Sequence, residues 1–175
     1  ALNHADPFIA TAALTAAGKT GDPSLVRKTL KAVDSSNLNR AENAAESLSE
    51  GLTPDQIRLI PDLVDTFHVI HRHRRNDDDP EYVRIEAYLL RGLTRLVENG
   101  GMGVGDAQDA ALTALEDARD LRPILVTALT LLDTTIPQDG LPAHERFGSP
   151  EAVPLVALLD HSDETISRRA LDLVD

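Results

Sequence analysis

The sequence has no cysteine and no tryptophan, and its 175 residues include only three phenylalanines and two tyrosines. The absence of cysteine excludes disulfides, thiolate metal sites and a cysteine nucleophile. Because aromatic rings are so few, the core has to be built from Leu, Val, Ile and Ala, which suits packed helices better than a β-sheet. No apolar run approaches the ~20 residues that a membrane-spanning helix needs, and no signal-peptide pattern is visible. We therefore expect a cytoplasmic protein.

Basic residues are scarce as well: 17 Lys and Arg face 29 Asp and Glu, and the formal net charge is −12. A surface this negative repels phosphate backbones and anionic lipids, so neither nucleic acid nor a membrane is expected as a partner. Only 3 of the basic residues are Lys, while 19 of the acidic ones are Asp. This composition is similar to that of proteins from salt-loving archaea, although a GC-rich genome produces the same bias.

The hydrophobic residues, 42% of the chain, are divided into segments by recurring helix start and stop signals. Asp-Pro dipeptides at Asp6, Asp22 and Asp79 each open such a segment, because Asp caps a backbone N–H and Pro needs no partner at the first helical position. Residues 53–56 form the pattern of a capping box. The predicted helices cover residues 7–17, 23–33, 38–50, 54–75, 80–99, 106–118 and 121–132, with one more from Ser149 and a last one capped by Ser162 or Asp163. We predict an all-α fold of eight or nine helices.

An irregular stretch from Thr134 to Gly148 contains two prolines and two glycines. A structureless connection of about 15 residues is uncommon in a compact domain. The stretch includes His144 and Arg146 among a mix of charged and aromatic residues that suits a binding element. Alternatively, a degenerate helix here completes the unit that begins at Leu121.

Two sequence signatures recur in the predicted helices. The first, Asp-Pro-x-x-Val-Arg, occurs at residues 22–27 and 79–84, with a degenerate copy at residues 163–168. The second is an apolar helix that carries a proline, and its copies contain Pro61, Pro123 and Pro154. Residues 153–174 contain both signatures in order, which predicts one helical hairpin.

With these signatures the chain resembles the HEAT-repeat family, whose members are α-solenoids of stacked antiparallel helix pairs. The resemblance implies that the proline helix is the outer one and the Asp-Pro-x-x-Val-Arg helix the inner one, with an Asp–Arg ladder between repeats. The implied ladder residues are Asp22, Arg27, Asp79, Arg84 and Asp163, although Ser167 stands where the third copy would have its arginine. Because the spacing is uneven, we expect a short α-solenoid of about four to five irregular antiparallel helix pairs.

Residues 1–175 are predicted to form a single HEAT-like helical repeat domain. Its apolar pattern continues to Val174, which suggests a fragment of a longer array or a chain that packs end to end with another copy. The competing interpretation is a closed helical bundle, in which Arg27 and Arg84 would face solvent without a common partner.

The most unusual local sequence runs from Phe67 to Asp79, where histidines and arginines precede three aspartates. His68 and His71 share a helical face, so a metal held by two imidazoles and a carboxylate is one hypothesis. The simpler interpretation is that cations at one helix end and anions at the next helix start complement the helix dipoles. We prefer it and expect no metal and no cofactor. The candidate interaction surface comprises His71, Asp77, Asp78, His144 and Arg146.

We expect a protein–protein interaction scaffold or adaptor with an acidic solenoid surface and no chemistry of its own. Such a surface favours another protein, and a basic one, as the partner. The alternative is a metal-dependent enzyme or lyase on the same scaffold, which would need a convergent set of histidines and carboxylates. The sequence supports that alternative only weakly, through His68 and His71 and through one His-Glu dipeptide, His144-Glu145.

Overall fold

A computed structural model describes residues 7–20, 22–76, 79–118, 120–135 and 153–174. Within these segments the chain forms nine α-helices, one 3₁₀ helix and no β-strand, which confirms the predicted all-α fold. The α-helices are α1 (Pro7–Lys19), α2 (Pro23–Val33), α3 (Leu38–Gly51), α4 (Ile60–Asn76), α5 (Pro80–Val97), α6 (Val104–Asp117), α7 (Arg122–Thr135), α8 (Val153–Ala157) and α9 (Glu164–Val174). The 3₁₀ helix, Pro54–Leu59, lies between α3 and α4.

Three aspartates cap the helices that follow them. The carboxylate of Asp22 accepts a hydrogen bond from the backbone N–H of Ser24 at 2.8 Å, and that of Asp79 accepts one from Glu81 at 3.1 Å. Asp163 accepts a bond from the N–H of Thr165 at 3.0 Å and caps α9 in the same way. Each carboxylate satisfies a backbone donor that has no partner inside its helix.

One predicted helix is divided in the structure. Residues 54–75 were expected to be continuous, but they form the 3₁₀ helix and then α4, with Gln56 at φ −90° and ψ 20° between helical residues. The predicted capping box is present, since the backbone N–H of Thr53 donates to Gln56 Oε1 at 3.0 Å. The division follows from Pro61, because proline cannot donate to the carbonyl four residues earlier and its ring clashes with that carbonyl.

The helices pack in two rows. The odd row consists of α1, α3, α5, α7 and α9, and the even row of α2, α4, α6 and α8. Every extensive contact between α-helices joins either consecutive helices, which lie in opposite rows, or next-but-one helices, which lie side by side in one row. The apolar side chains between the rows form one continuous cluster from Val26 in α2 to Leu173 in α9.

Cross-helix bonds fix the helix directions. Within a row the helices are parallel, because Arg84 near the start of α5 bonds to Glu42 near the start of α3. Between rows they are antiparallel, because Gln108 near the start of α6 donates to the carbonyl of Thr135 at the end of α7. The pairs α2–α3, α4–α5, α6–α7 and α8–α9 therefore stack as a short solenoid, as predicted.

A closed bundle would bring the first and last helices into contact. Among the described helices, the extensive contacts of α1 and α2 reach only as far as α4, and those of α9 reach back only to α7. Within the part of the chain that the structure describes, the arrangement is open, and each pair packs mainly against its neighbours. No described helix is both long enough and apolar enough to cross a membrane.

Candidate functional site

The arginines of the two Asp-Pro-x-x-Val-Arg motifs pair across neighbouring helices of a row. Arg27 Nε donates to Asp62 Oδ2 at 2.9 Å, and Arg84 bonds to both carboxylate oxygens of Glu42 at 2.6 and 3.0 Å. Neither arginine pairs with the capping aspartate of the other motif. The two motifs cannot meet, because α2 lies in the even row and α5 in the odd row. The implied inner and outer helices are also not separated by row, since each row contains helices of both signatures.

A ladder of ion pairs nevertheless follows the rows. The pairs are Arg27–Asp62 (α2–α4), Glu42–Arg84 (α3–α5), Arg74–Asp117 (α4–α6) and Arg122–Asp163 (α7–α9). Their partners are 35 to 43 residues apart, which is close to the ~40–47 residues of one helical repeat. Each exposed pair contributes about 0–1 kcal/mol to the free energy of unfolding. The pairs therefore show which helix positions lie side by side within a row, and they add little to the stability of the fold.

His71, which was predicted to belong to the candidate interaction surface, is buried in the structure. Its side chain is 9% exposed, its ring stacks on Phe67 with the centroids 5.5 Å apart, and its Nδ1 lies 3.0 Å from Glu86 Oε1. The same nitrogen lies 3.3 Å from Arg74 Nη2. His68, which was predicted to lie on the same helical face as His71, is exposed. The two imidazoles therefore have different surroundings.

Glu86 is the centre of a charge cluster formed by His71, Arg74, Arg75, Glu86 and Asp117, of which Arg75 is exposed and Asp117 partly buried. Its carboxylate is completely buried and accepts hydrogen bonds from both His71 and Arg74 Nε. Arg74 also bonds to Asp117, which receives Arg75 Nε at 3.0 Å. Burial lowers the pKa of Arg74, but the hydrogen bonds to Glu86 and Asp117 outweigh it, and the pKa lies above its usual value.

The positive and negative groups of the cluster are paired with one another. Two guanidinium groups face two carboxylates, and each described member is bonded to another one. Among the described residues, no group of three or more histidines and carboxylates is arranged to hold a metal ion. The cluster joins α4, α5 and α6, so its evident effect is to fix these three helices relative to one another.

Four of the five residues of the candidate interaction surface lie outside the described segments: Asp77, Asp78, His144 and Arg146. The same is true of residues 136–148 of the predicted loop. The start of that loop differs from the prediction, because Thr134 and Thr135 form the last residues of α7.

An open groove lies on the odd row between α5 and α7. Its volume is about 320 Å³. The residues that line it are Ala87, Tyr88 and Arg91 from α5, and Arg122, Pro123, Val126 and Thr127 from α7. Within each helix these positions are three or four residues apart or adjacent, so they form one face.

The groove is lined by cations and by no described carboxylate. Arg91 is exposed and forms no ion pair with any described residue, while Arg122 uses Nε to bind Asp163 at 2.9 Å. The hydroxyl of Tyr88 donates to Glu46 on α3 at 3.3 Å. Burial above all, with the nearby charge of Glu46, raises the pKa of Tyr88, so the phenol stays neutral.

A second groove lies on the even row between α2 and α4. Its volume is about 270 Å³, and its lining mixes both signs of charge: Arg27, Lys31, Asp34, Asp62 and Asp65 contribute together with Leu30 and Thr66. Its charges are largely opposite in sign and close together, as the Arg27–Asp62 pair shows. Of these two grooves, the α5–α7 groove is therefore the one whose lining has an excess of positive charge.

None of the residues of the α5–α7 groove was predicted from the sequence to form a site, although Pro123 belongs to the second repeat signature. The signal was present in part, since Arg84, Tyr88, Arg91 and Arg95 recur at helical spacing on α5. Their meaning depends on which helix lies beside α5, and sequence periodicity does not give that neighbour.

The fold and the groove define an all-α protein of solenoid-like architecture. Comparison with family models, with curated proteins and with solved structures finds no match to this chain.

Proposed function

We propose that this protein is a protein-binding scaffold or adaptor, with the α5–α7 groove as its docking site for a segment of the partner. The observation that carries the proposal is the groove itself, an open and partly apolar channel along the row of parallel helices. Solenoids present extended, rigid surfaces of this kind to other proteins. Because its lining side chains sit on packed helices, little ordering is needed when a partner binds.

The dimensions of the groove suit a peptide segment. Its volume of about 320 Å³ is at the lower end of the ~300–1,000 Å³ of ligand pockets. It therefore accommodates one large side chain and the adjoining backbone, not a large cofactor. Tyr88, Pro123 and Val126 supply apolar surface, and Thr127 lies at the same level of α7.

The net charge of −12 bears on the approach of a partner. A negative protein attracts basic proteins over long range at low ionic strength, and we retain a basic protein as the class of partner that this field favours. The field acts on the rate of encounter, whereas the lining of the groove determines which segment docks there.

The proposal is tested by selecting peptides from a library of displayed 12-residue segments on the full chain. The groove is then filled by Thr127→Trp, and Thr113→Trp on α6 serves as the matched control, because both threonines are partly exposed but lie in opposite rows. We expect selected peptides to bind the wild-type chain and Thr113→Trp equally, and to bind Thr127→Trp at least about tenfold more weakly. Selection of no peptide, or of peptides that tolerate Thr127→Trp, would contradict the proposal.

A further inference from the structure

We infer that the α5–α7 groove recognises an acidic segment of its partner, with one apolar side chain lying between the carboxylates. The inference rests on the proposed function and specifies its ligand. It runs against the overall charge of the chain, which is strongly negative. The argument starts from the charges that line the groove.

Two arginines and no described carboxylate line the groove. Arg91 on α5 has no ion-pair partner among the described residues, and its side chain is exposed beside the groove. Arg122 on α7 bonds to Asp163 through Nε, which leaves its remaining guanidinium N–H groups for a ligand. Guanidinium groups bind carboxylates through paired hydrogen bonds, so an acidic side chain is the complementary group on each side.

Two carboxylates lie just outside the lining: Asp163 binds Arg122, and Glu46 accepts a hydrogen bond from Tyr88. Neither pairs with Arg91, and the acidic residues farther away do not reverse the preference. At physiological ionic strength the Debye length is about 8 Å, so exposed charges farther away are largely screened. Arg91 and Arg122 contact a bound segment directly. The charge nearest to the segment therefore decides the sign that binds, while the net charge lowers the rate of approach at low salt.

The apolar part of the ligand is specified by the floor of the groove. Ala87, Pro123 and Val126 offer no hydrogen-bond donor from their side chains, and the hydroxyl of Tyr88 is turned to Glu46. A polar side chain placed there would lose its water without a new partner, which costs free energy. An aliphatic or aromatic side chain gains about 25 cal/mol for each Å² of apolar area removed from water.

The groove on the even row provides the internal comparison. There Arg27 is already bonded to Asp62, and Asp34 and Asp65 lie beside Lys31 in the lining. Two cations face three carboxylates in this lining, so it does not favour an acidic segment. The selectivity for acidic segments is thus expected at the α5–α7 groove alone among the two described grooves.

The test uses three synthetic 11-residue peptides: one with Asp and Glu flanking a central Phe, one with Lys in place of every acid, and one with the central Phe replaced by Ala. Binding to the full chain is measured by calorimetry at 0.15 M salt, and the contact surface by backbone amide NMR shifts. The variant is Arg91→Glu, and Arg72→Glu on α4 is its matched control, because Arg72 is likewise exposed and forms no ion pair with any described residue.

We expect the acidic Phe peptide to bind, with shifts concentrated on α5 and α7, and the basic and Ala peptides to bind at least about tenfold more weakly. Arg91→Glu should weaken the acidic peptide by about tenfold or more, and Arg72→Glu by less than about twofold. Equal binding of the acidic and basic peptides, or equal effects of the two variants, would overturn the inference. Absence of any binding of the acidic peptide would overturn it as well.

The two proposals fail in different ways. If the selected library peptides depend on Thr127 but are neutral or basic, the groove is a docking site and the inferred charge is wrong. If no library peptide depends on Thr127, the docking function itself is wrong, whatever the synthetic peptides show.

Discussion

Glu86 has a completely buried carboxylate, and its substitution is expected to affect the stability of this protein strongly. A completely buried carboxylate is costly unless it is paired, and it is compensated here by Arg74 and His71 from the neighbouring helix. Replacing a buried ion pair by apolar groups is often tolerated, whereas removing one partner leaves the other charge buried and unpaired. The cluster therefore makes each of its members dependent on the others.

This dependence can be measured by unfolding in urea. Glu86→Leu should lower the free energy of unfolding by about 3–5 kcal/mol, because Arg74 loses its buried carboxylate. The double variant Arg74→Met/Glu86→Leu should recover at least about 1 kcal/mol of that loss, since it removes both charges. The control, Glu42→Ala, breaks the exposed pair with Arg84 and should cost no more than about 1 kcal/mol. A double variant less stable than the single one would show that the pair is not the source of the effect.

The five members of the cluster illustrate the limit of sequence reasoning at this scale. His71 and Arg74 stood out in a run of cations, and the run correctly marked the end of a helix. Glu86 and Asp117 carried no signal, because each is a single acid in an ordinary helix. The side-chain partners come from α5 and α6, and periodicity within α4 contains no information on them.

Helix starts, and the ion pairs that join neighbouring helices of a row, are the informative features at the scale of elements. Asp163 caps α9 through the N–H of Thr165 and also receives Arg122 from α7. The hydrogen bond from Arg122, more than that from the cap, holds the pKa of Asp163 below its ordinary value of 3.8. One carboxylate thus starts a helix and sets its register against its neighbour in the row.

The lowered pKa of Asp163 predicts a pH dependence of stability. A carboxylate with a lowered folded pKa contributes stability above its unfolded value, and the contribution is lost as the pH falls through the folded value. Asp163→Asn retains the cap and removes the charge. We therefore expect Asp163→Asn to be less stable than the wild type at pH 7, and the difference to shrink below pH 3.8.

Urea unfolding at pH 7 and at pH 3 measures this difference. Asp160→Asn is the control, because Asp160 is exposed and has no ion pair among the described residues. Its effect should be small at both pH values. A stability difference for Asp163→Asn that is equal at both pH values, or larger at pH 3, would contradict the assignment.

Most elements could be predicted from local signals. The Asp-Pro caps at Asp22 and Asp79 placed two helix starts correctly, because capping involves only residues two or three positions apart. The 3₁₀ helix at Pro54–Leu59 was missed, although Pro61 contained the reason for it. An isolated proline near a helix start is compatible with a continuous helix or with a break, and the surrounding packing decides between them.

At the scale of the whole molecule, the solenoid could be predicted as a class but not in its detail. Recurring helix signatures indicated stacked pairs, and the open arrangement of nearest-neighbour contacts agrees with that expectation. The assignment of signatures to rows did not follow, since the Asp-Pro helices α2 and α5 lie in opposite rows. Row membership depends on the number of intervening helices. Two predicted helices separate α2 from α5, so the order of the helices contained this assignment, whereas the signatures alone did not.

The α5–α7 groove belongs to this scale as well. Its two arginines are 31 positions apart in the sequence. They lie close together because α6, the helix between them in the chain, belongs to the even row, so that α5 and α7 pack side by side in the odd row. The net charge of −12 predicts an acidic surface and gives no indication that two arginines line this groove. A groove of this kind is formed by two adjacent helices of a row, so it can be recognised only when the rows are known.

The central claim, that partners dock in the α5–α7 groove, is tested most directly by site-specific photo-crosslinking in cells of the source organism. A benzophenone amino acid is placed at Arg95, one helical turn beyond Arg91 on α5 and outside the groove lining, and, in a matched chain, at Thr113 on the even row. We predict a discrete crosslinked product from position 95, strongly reduced by Arg91→Glu, and none of the same mass from position 113. The same product from both positions, or from position 113 alone, would contradict the claim.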